Sequence, residues 1–175
     1  MKKMIIPLLA CLLLAGCGSS FQGFYNQHKN DMGVTSFQVP NFMKAVLGSI
    51  SPEVSNVIGN ITNLKYIKFE NVSEAKRMSL INELNAVTNY GYTDMFRKNE
   101  VQATRIISVK ELGVVLTDVI LFNSNNTQTT AFYLEGKFDP DKIKTLSDPE
   151  KFESITGQLL NAYQTNLNPS FNPNN

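Results

Sequence analysis

Asp118 is the acid in this sequence whose setting most invites chemistry. It interrupts the apolar run Val114–Phe122 on the side of the strand shared by Leu116 and Ile120. If that side is buried, the carboxyl needs a partner or a raised pKa, which is how functional acids are made. If it is solvated, Asp118 is an ordinary half-exposed residue, and this is the expectation. Asp139 and Asp141, with Glu135 close by, form a second acidic cluster suited to acid–base work or to Ca2+. A Ca2+ loop alternates oxygen ligands over about twelve residues with Gly at the sixth, and this segment lacks that pattern. Asp139-Pro140 reads instead as a helix cap. Ser73-Glu74-Ala75-Lys76 has the spacing of a serine nucleophile and its lysine, without the companion Ser-Asp-Asn and Lys-Thr-Gly boxes. An N-cap role accounts for Ser73. His28, the one histidine, stands among Asn26, Gln27, Lys29 and Asn30 and reads as a solvated residue of a tether. No phosphate loop, dinucleotide fingerprint or CxxC occurs. No catalytic residue, cofactor or metal site is therefore assigned.

The amino terminus carries a different chemistry. Lys2 and Lys3 precede an apolar run from Met4 to Ala15, too short for the roughly 20 residues of a membrane-spanning helix, so residues 1–16 read as a signal peptide. The run ends in Leu14-Ala15-Gly16-Cys17, which resembles the lipobox of bacterial lipoproteins. Such a resemblance implies cleavage before Cys17 and lipidation of its sulfur. Cleavage would remove Cys11 and leave no free thiol. It would also remove two of the 16 Lys and Arg, leaving 14 against 15 acids, so attraction to nucleic acid has no electrostatic support. Gly18-Ser19-Ser20 lacks both an Asp beside the cysteine and an acidic run. The expected location is the periplasmic face of the outer membrane, held through lipid on Cys17.

Residues 17–32 are expected to be the lipidated cysteine and a tether, 33–165 a single domain, and 166–175 a disordered Asn/Pro-rich tail. Within the domain, Val34–Val39 and Leu64–Glu70 read as strands, and Thr104–Val109, Val114–Phe122 and Thr129–Glu135 as a meander. The second meander strand is apolar on both faces and belongs at the centre. Helices are expected over Asn41–Leu47 and Pro52–Ile58, after Ser73, and after the two Asp-Pro pairs at 139 and 148. The economical arrangement is an α+β two-layer sandwich, with helices on one face of a four or five-stranded, mainly antiparallel sheet.

This succession, from Val34–Val39 through Leu64–Glu70 and the Ser73 helix to Gly91-Tyr92, the meander and Tyr133-Leu134-Glu135-Gly136-Lys137-Phe138-Asp139, resembles the domain of unknown function 4252, a family of small Bacteroidetes lipoproteins, over about residues 24–147. The resemblance implies an envelope location and a compact α+β domain; it carries no activity and no site residues. With general bases and nucleophiles scarce, a non-catalytic lipoprotein is expected, its periplasmic domain binding another envelope protein. Tyr90, Tyr92 and Phe96 are the candidate partner surface, since aromatic residues dominate interface hot spots. A sensory or regulatory lipoprotein of envelope signalling, or a carboxylate-based hydrolase using Asp118 or Asp139 and Asp141, are the alternatives.

Overall fold

The computed structural model describes residues 19–42 and 51–166. The signal segment, Cys17 and residues 167–175 of the tail lie outside the described residues, as does most of the helix expected over Asn41–Leu47. The strands are β1 (Val34–Pro40), β2 (Asn60–Glu70), β3 (Thr93–Asn99), β4 (Ala103–Leu112), β5 (Val115–Asn125) and β6 (Gln128–Phe138). The helices are α1 (Phe21–His28), α2 (Pro52–Ile58), α3 (Glu74–Thr88), α4 (Pro140–Lys144) and α5 (Pro149–Asn166), with a 3-10 turn at Thr145–Ser147. The strands form one sheet in the order β1-β2-β6-β5-β4-β3, and every neighbouring pair is antiparallel. The α+β class and antiparallel sheet agree with the sequence reading.

The sheet has six strands where four or five were expected. The additional one is β3, whose sequence Thr-Asp-Met-Phe-Arg-Lys-Asn is mostly exposed at the sheet edge. An edge strand covered on little of its surface shows neither apolar alternation nor β-branched enrichment. β5, with the fully buried run Val119–Phe122, lies between β6 and β4 as its two-sided apolar pattern required.

The two-layer arrangement is also corrected: helices cover both faces. One core joins Tyr66, Phe132, Leu121 and Ile107 to Ile58, Ile143, Phe152 and Leu159, from α2, α4 and α5. The other joins Ile67, Phe69, Ile120 and Phe122 to Phe21, Phe24, Leu80 and Leu84, from α1 and α3. Alternate residues of the central strands are apolar on both sides, so both faces must be covered from water. A helix stripe states that a face exists, not which one it meets.

The reading of residues 17–32 as a tether is likewise replaced. Ser20 caps α1 by accepting from the Gly23 amide at 3.0 Å, and Phe21, Phe24, Tyr25 and His28 make a buried stripe at helical spacing. The stripe is aromatic rather than aliphatic and only two turns long, which hid it in the composition. α3 begins at its expected cap, Ser73, which accepts from the Lys76 amide at 3.3 Å. Asp139 accepts from Asp141 and Asp148 from Glu150, each at 2.9 Å, so both Asp-Pro pairs start helices. The first of these caps engages the Asp139 carboxylate through Oδ1, which also accepts from the Lys142 amide.

Candidate functional site

Asp118 is positioned by irregularities in three adjacent strands. The β4–β5 register shifts between Lys110 and Glu111, the β5–β6 register between Leu116 and Asp118, and the β2–β6 register between Ile61 and Asn63. A bulge reverses side-chain alternation along its strand. Leu116 therefore joins the core under α5, whereas Ile120 joins the core under α1 and α3. The sequence reading had placed Leu116, Asp118 and Ile120 on one side; the bulge separates the first from the other two.

The irregularities bring together groups from four strands. Tyr133 Oη donates to Asp118 Oδ1 at 2.5 Å, and Thr117 Oγ1 donates to Oδ2 at 2.8 Å. Lys65, opposite Tyr133 in the β2–β6 register, holds its ammonium 4.7 Å from the Tyr133 ring centroid and is only 6% exposed. Phe21 of α1 stacks on the same ring at 5.3 Å. Beside this, Lys110 Nζ lies 4.5 Å from the Tyr92 ring centroid. Burial pushes the Lys65 ammonium below the usual lysine range, and the negative charges of Glu135 and Asp118 resist that shift. Burial pushes the Tyr133 phenol well above its ordinary value, reinforced by its hydrogen bond to Asp118. Tyr92 is raised by burial and by the charges of Asp118 and Glu135.

The chemistry follows from those protonation states. Both phenols remain protonated at neutral pH and are poor bases and nucleophiles. Both oxygens of Asp118 already accept hydrogen bonds from the protein. The cluster is a cohesive polar junction that fastens α1 to the sheet. Asp118 was the one member singled out in the sequence; Lys65 and Tyr133 were missed, although Lys65 sits conspicuously between Leu64 and Tyr66.

Tyr90, Tyr92 and Phe96 do not converge. Tyr90 is exposed, Tyr92 packs against the core under α1 and α3, and Phe96 packs against the opposite core. His28 is also corrected: it is 4% exposed, with Nδ1 2.8 Å from Asp31 and Nε2 2.6 Å from Glu83 of α3. The ring bridges the two carboxylates through its two nitrogens. The ring also packs edge-on against Phe24 and Phe69. Hydrogen bonding to His28 holds the Asp31 carboxyl below its usual value. Burial pushes Glu83 up, but hydrogen bonds from His28 and Ser79 bring it below the ordinary range. Among the described residues, no group of three His, Cys, Asp or Glu side chains is arranged to hold a metal ion, and no helix is long and apolar enough to cross a membrane.

Residues 25–146, well over half of the 175, match the family described as Domain of unknown function (DUF4252). The chain belongs to this family. The matched region starts inside α1 and runs through the whole sheet to the 3-10 turn, so the DUF4252 domain contains both polar clusters just described. No curated protein and no solved structure matches the chain.

Proposed function

We propose that this DUF4252 protein is a non-catalytic lipoprotein of the cell envelope, fixed by lipid on Cys17 at the periplasmic face of the outer membrane and binding another envelope protein. The observation that carries the reading is the closeness of the lipobox to a helix built into the fold. α1 starts at Phe21, four residues after Cys17, and is clamped by the Phe21–Tyr133 stack and by His28 on Glu83. Only Gly18 separates Cys17 from Ser19, so the two steps span at most about 7 Å of extended chain. A lipid on that sulfur therefore holds the domain against the bilayer. Leu112 and Val114, 76% and 89% exposed in the β4–β5 turn, and the exposed Tyr90 after α3 lie at the end of the sheet toward which the start of α1 points.

For the partner, the favoured surface is the open edge of β3. It offers unpaired backbone for strand addition, with Arg97 and Lys98 to select the register and the partner. Of the aromatic trio, Tyr92 just before this strand and Phe96 within it pack against opposite cores and support it.

Two measurements test the reading. Cys17→Ala should move the protein from the detergent phase to the aqueous phase in a detergent-partitioning assay; unchanged partitioning overturns the anchor. A photo-crosslinking residue at Lys98 in intact cells should capture one discrete envelope protein that the same probe at Met78, exposed on α3, does not. Equal capture at both positions would sink the β3 assignment.

A further inference from the structure

The β4–β5 hairpin carries apolar side chains where a two-residue turn ordinarily carries polar ones. Leu112 pairs with Val115, which leaves Gly113 and Val114 as the turn. Gly113 has φ 66°, the left-handed backbone that such a turn asks of its first residue. Turn positions favour Asn, Asp, Ser and Gly, yet Val114 is 89% and its neighbour Leu112 76% exposed. Neither belongs to either core. The tip also projects. β3 accompanies β4 only as far as Val109, opposite Thr93, and β6 accompanies β5 only as far as Leu116, opposite Phe138. The end of the hairpin, Glu111 to Val115, thus reaches beyond the paired part of both neighbouring strands.

A third exposed side chain stands beside it. A Cβ built on Gly91 would lie 3.7 Å from Lys110 Cε, and Lys110 Nζ is 4.5 Å from the Tyr92 ring centroid. The Tyr90-Gly91-Tyr92 loop is therefore held against β4 two residues before Leu112, and Tyr90 within it is 64% exposed. Elsewhere, exposed apolar residues stand singly, which is ordinary for a protein surface. Met32 before β1 and Val101 between β3 and β4 lie at the opposite end of the sheet, beside its two outermost strands.

The amino terminus decides what faces the tip. Ser19 and Ser20 share a groove with Ala86 and Val87 in the last turn of α3, and Tyr90 follows that turn. Cys17 is two residues before Ser19, so its sulfur is tied to the end of the molecule that bears the tip. The charges at this end are mixed, Lys110 and Lys137 against Glu111 and Asp139. They give no net attraction to anionic headgroups and leave apolar burial as the driving force.

We propose that Leu112, Val114 and Tyr90 insert into the headgroup boundary of the lipid bilayer, as a second membrane contact beside the acyl anchor. The inference rests on the reading of Cys17 as lipidated. The aliphatic tip enters the margin of the acyl chains, while the tyrosine keeps its hydroxyl at headgroup level. One anchored point leaves the domain free to swivel. Two contacts stand the strands end-on to the bilayer, with the open edge of β3 facing along the membrane surface.

The chain has no tryptophan, so one substitution makes a reporter. The lipidated full-length protein is reconstituted in phosphatidylcholine vesicles, with or without bromine on the acyl chains close to the headgroup, and vesicle binding is read by sedimentation. A tip buried about 5–10 Å into the boundary meets those bromines, so Val114→Trp should lose about half of its emission in brominated vesicles. Val101→Trp, at the far end of the strands, should lose none. Because tryptophan favours interfaces by itself, Tyr90→Trp is the second reporter. Its quenching should vanish when Leu112→Ser and Val114→Ser are added, with sedimentation retained. Unquenched Val114→Trp in vesicle-bound protein overturns the tip and leaves the anchor standing. So does equal quenching of Val101→Trp, quenching of Tyr90→Trp that survives both serines, or quenching that appears only when phosphatidylglycerol is added. If Val114→Trp combined with Cys17→Ala sediments and is quenched as fully as with Cys17 present, the anchor reading fails and the tip stands alone. Protein that stays in the supernatant with Cys17 intact overturns both.

Discussion

The two faces of the sheet treat polar side chains in opposite ways. On the face under α1 and α3, Asp118, Tyr133, Thr117 and Lys65 are closed on one another: both carboxylate oxygens are occupied, and the ammonium rests over the phenol ring. On the face under α5, Arg105, Asn123 and Thr130 come from the same central strands, and Arg105 rests on the Phe152 ring with its Nε lacking an acceptor in the chain. What separates them is whether a donor has an acceptor within the chain. A satisfied polar cluster contributes to stability and specificity of packing, and truncating it leaves orphans behind. An unsatisfied one contributes little to the fold and is kept at the expense of desolvation. Composition alone makes both look like polar interruptions of apolar strands.

Substitutions should separate the two clusters, and the closed one should give the largest effects. Asp118→Ala removes the acceptor of two hydrogen bonds and a negative charge beside buried Lys65, and should cost about 2–3 kcal/mol in denaturant unfolding. Tyr133→Phe keeps the stack on Phe21 and loses one donor, so about 1–2 kcal/mol is expected. If Asp118→Ala unfolds no earlier than the parent, the cluster is not the fastening described here.

Acid should also act on the α1 side. Asp31 and Glu83 have folded-state values depressed below their reference values of 3.8 and 4.5. A depressed carboxyl stabilises above its unfolded value, and that contribution is lost as pH falls through the folded one. Stability should therefore drop as pH falls below about 4.5, and His28→Gln should flatten that slope. A slope unchanged in His28→Gln would break the link between His28 and the two carboxylates. A smaller effect, of opposite sign, is expected on the α5 side. Gly157→Ala has room for its methyl group and should stabilise by about 0.5–1 kcal/mol. Smallest of all, Arg105→Met should change stability by less than about 0.5 kcal/mol; a larger loss would mean that this side chain supports the fold after all.

How much of this could be read in advance depended on how local each signal is. Caps and breakers are local: Ser73, Asp139-Pro140 and Asp148-Pro149 announced α3, α4 and α5, and alternating apolar residues announced β1, β2, β4, β5 and β6. β3 escaped because an exposed edge strand needs no apolar alternation. α1 escaped because two turns of Phe, Tyr and His resemble a polar linker in composition. Asp118 could be named from its apolar neighbours, but its partners could not: a bulge decides which face it occupies, and Tyr133 meets it only through the β5–β6 register.

The order β1-β2-β6-β5-β4-β3 sets a timetable for folding. The meander β3 to β6 joins neighbours in sequence, and its turns close over a few residues. β2, by contrast, pairs with β6, with Glu70 opposite Gln128 at a sequence separation of 58. Long-range pairings form late, because closing the loop costs entropy before any contact repays it. A chain made or exported from its amino end must therefore hold the β1–β2 hairpin, already complete, with one edge vacant until β6 arrives. Pulsed hydrogen exchange during refolding should protect β4–β5 amides before those shared by β2 and β6, and the reverse order would refute the scheme. On this timetable, the clamp of α1 onto Tyr133 is among the final steps, since its seat does not exist until the last strand is laid down.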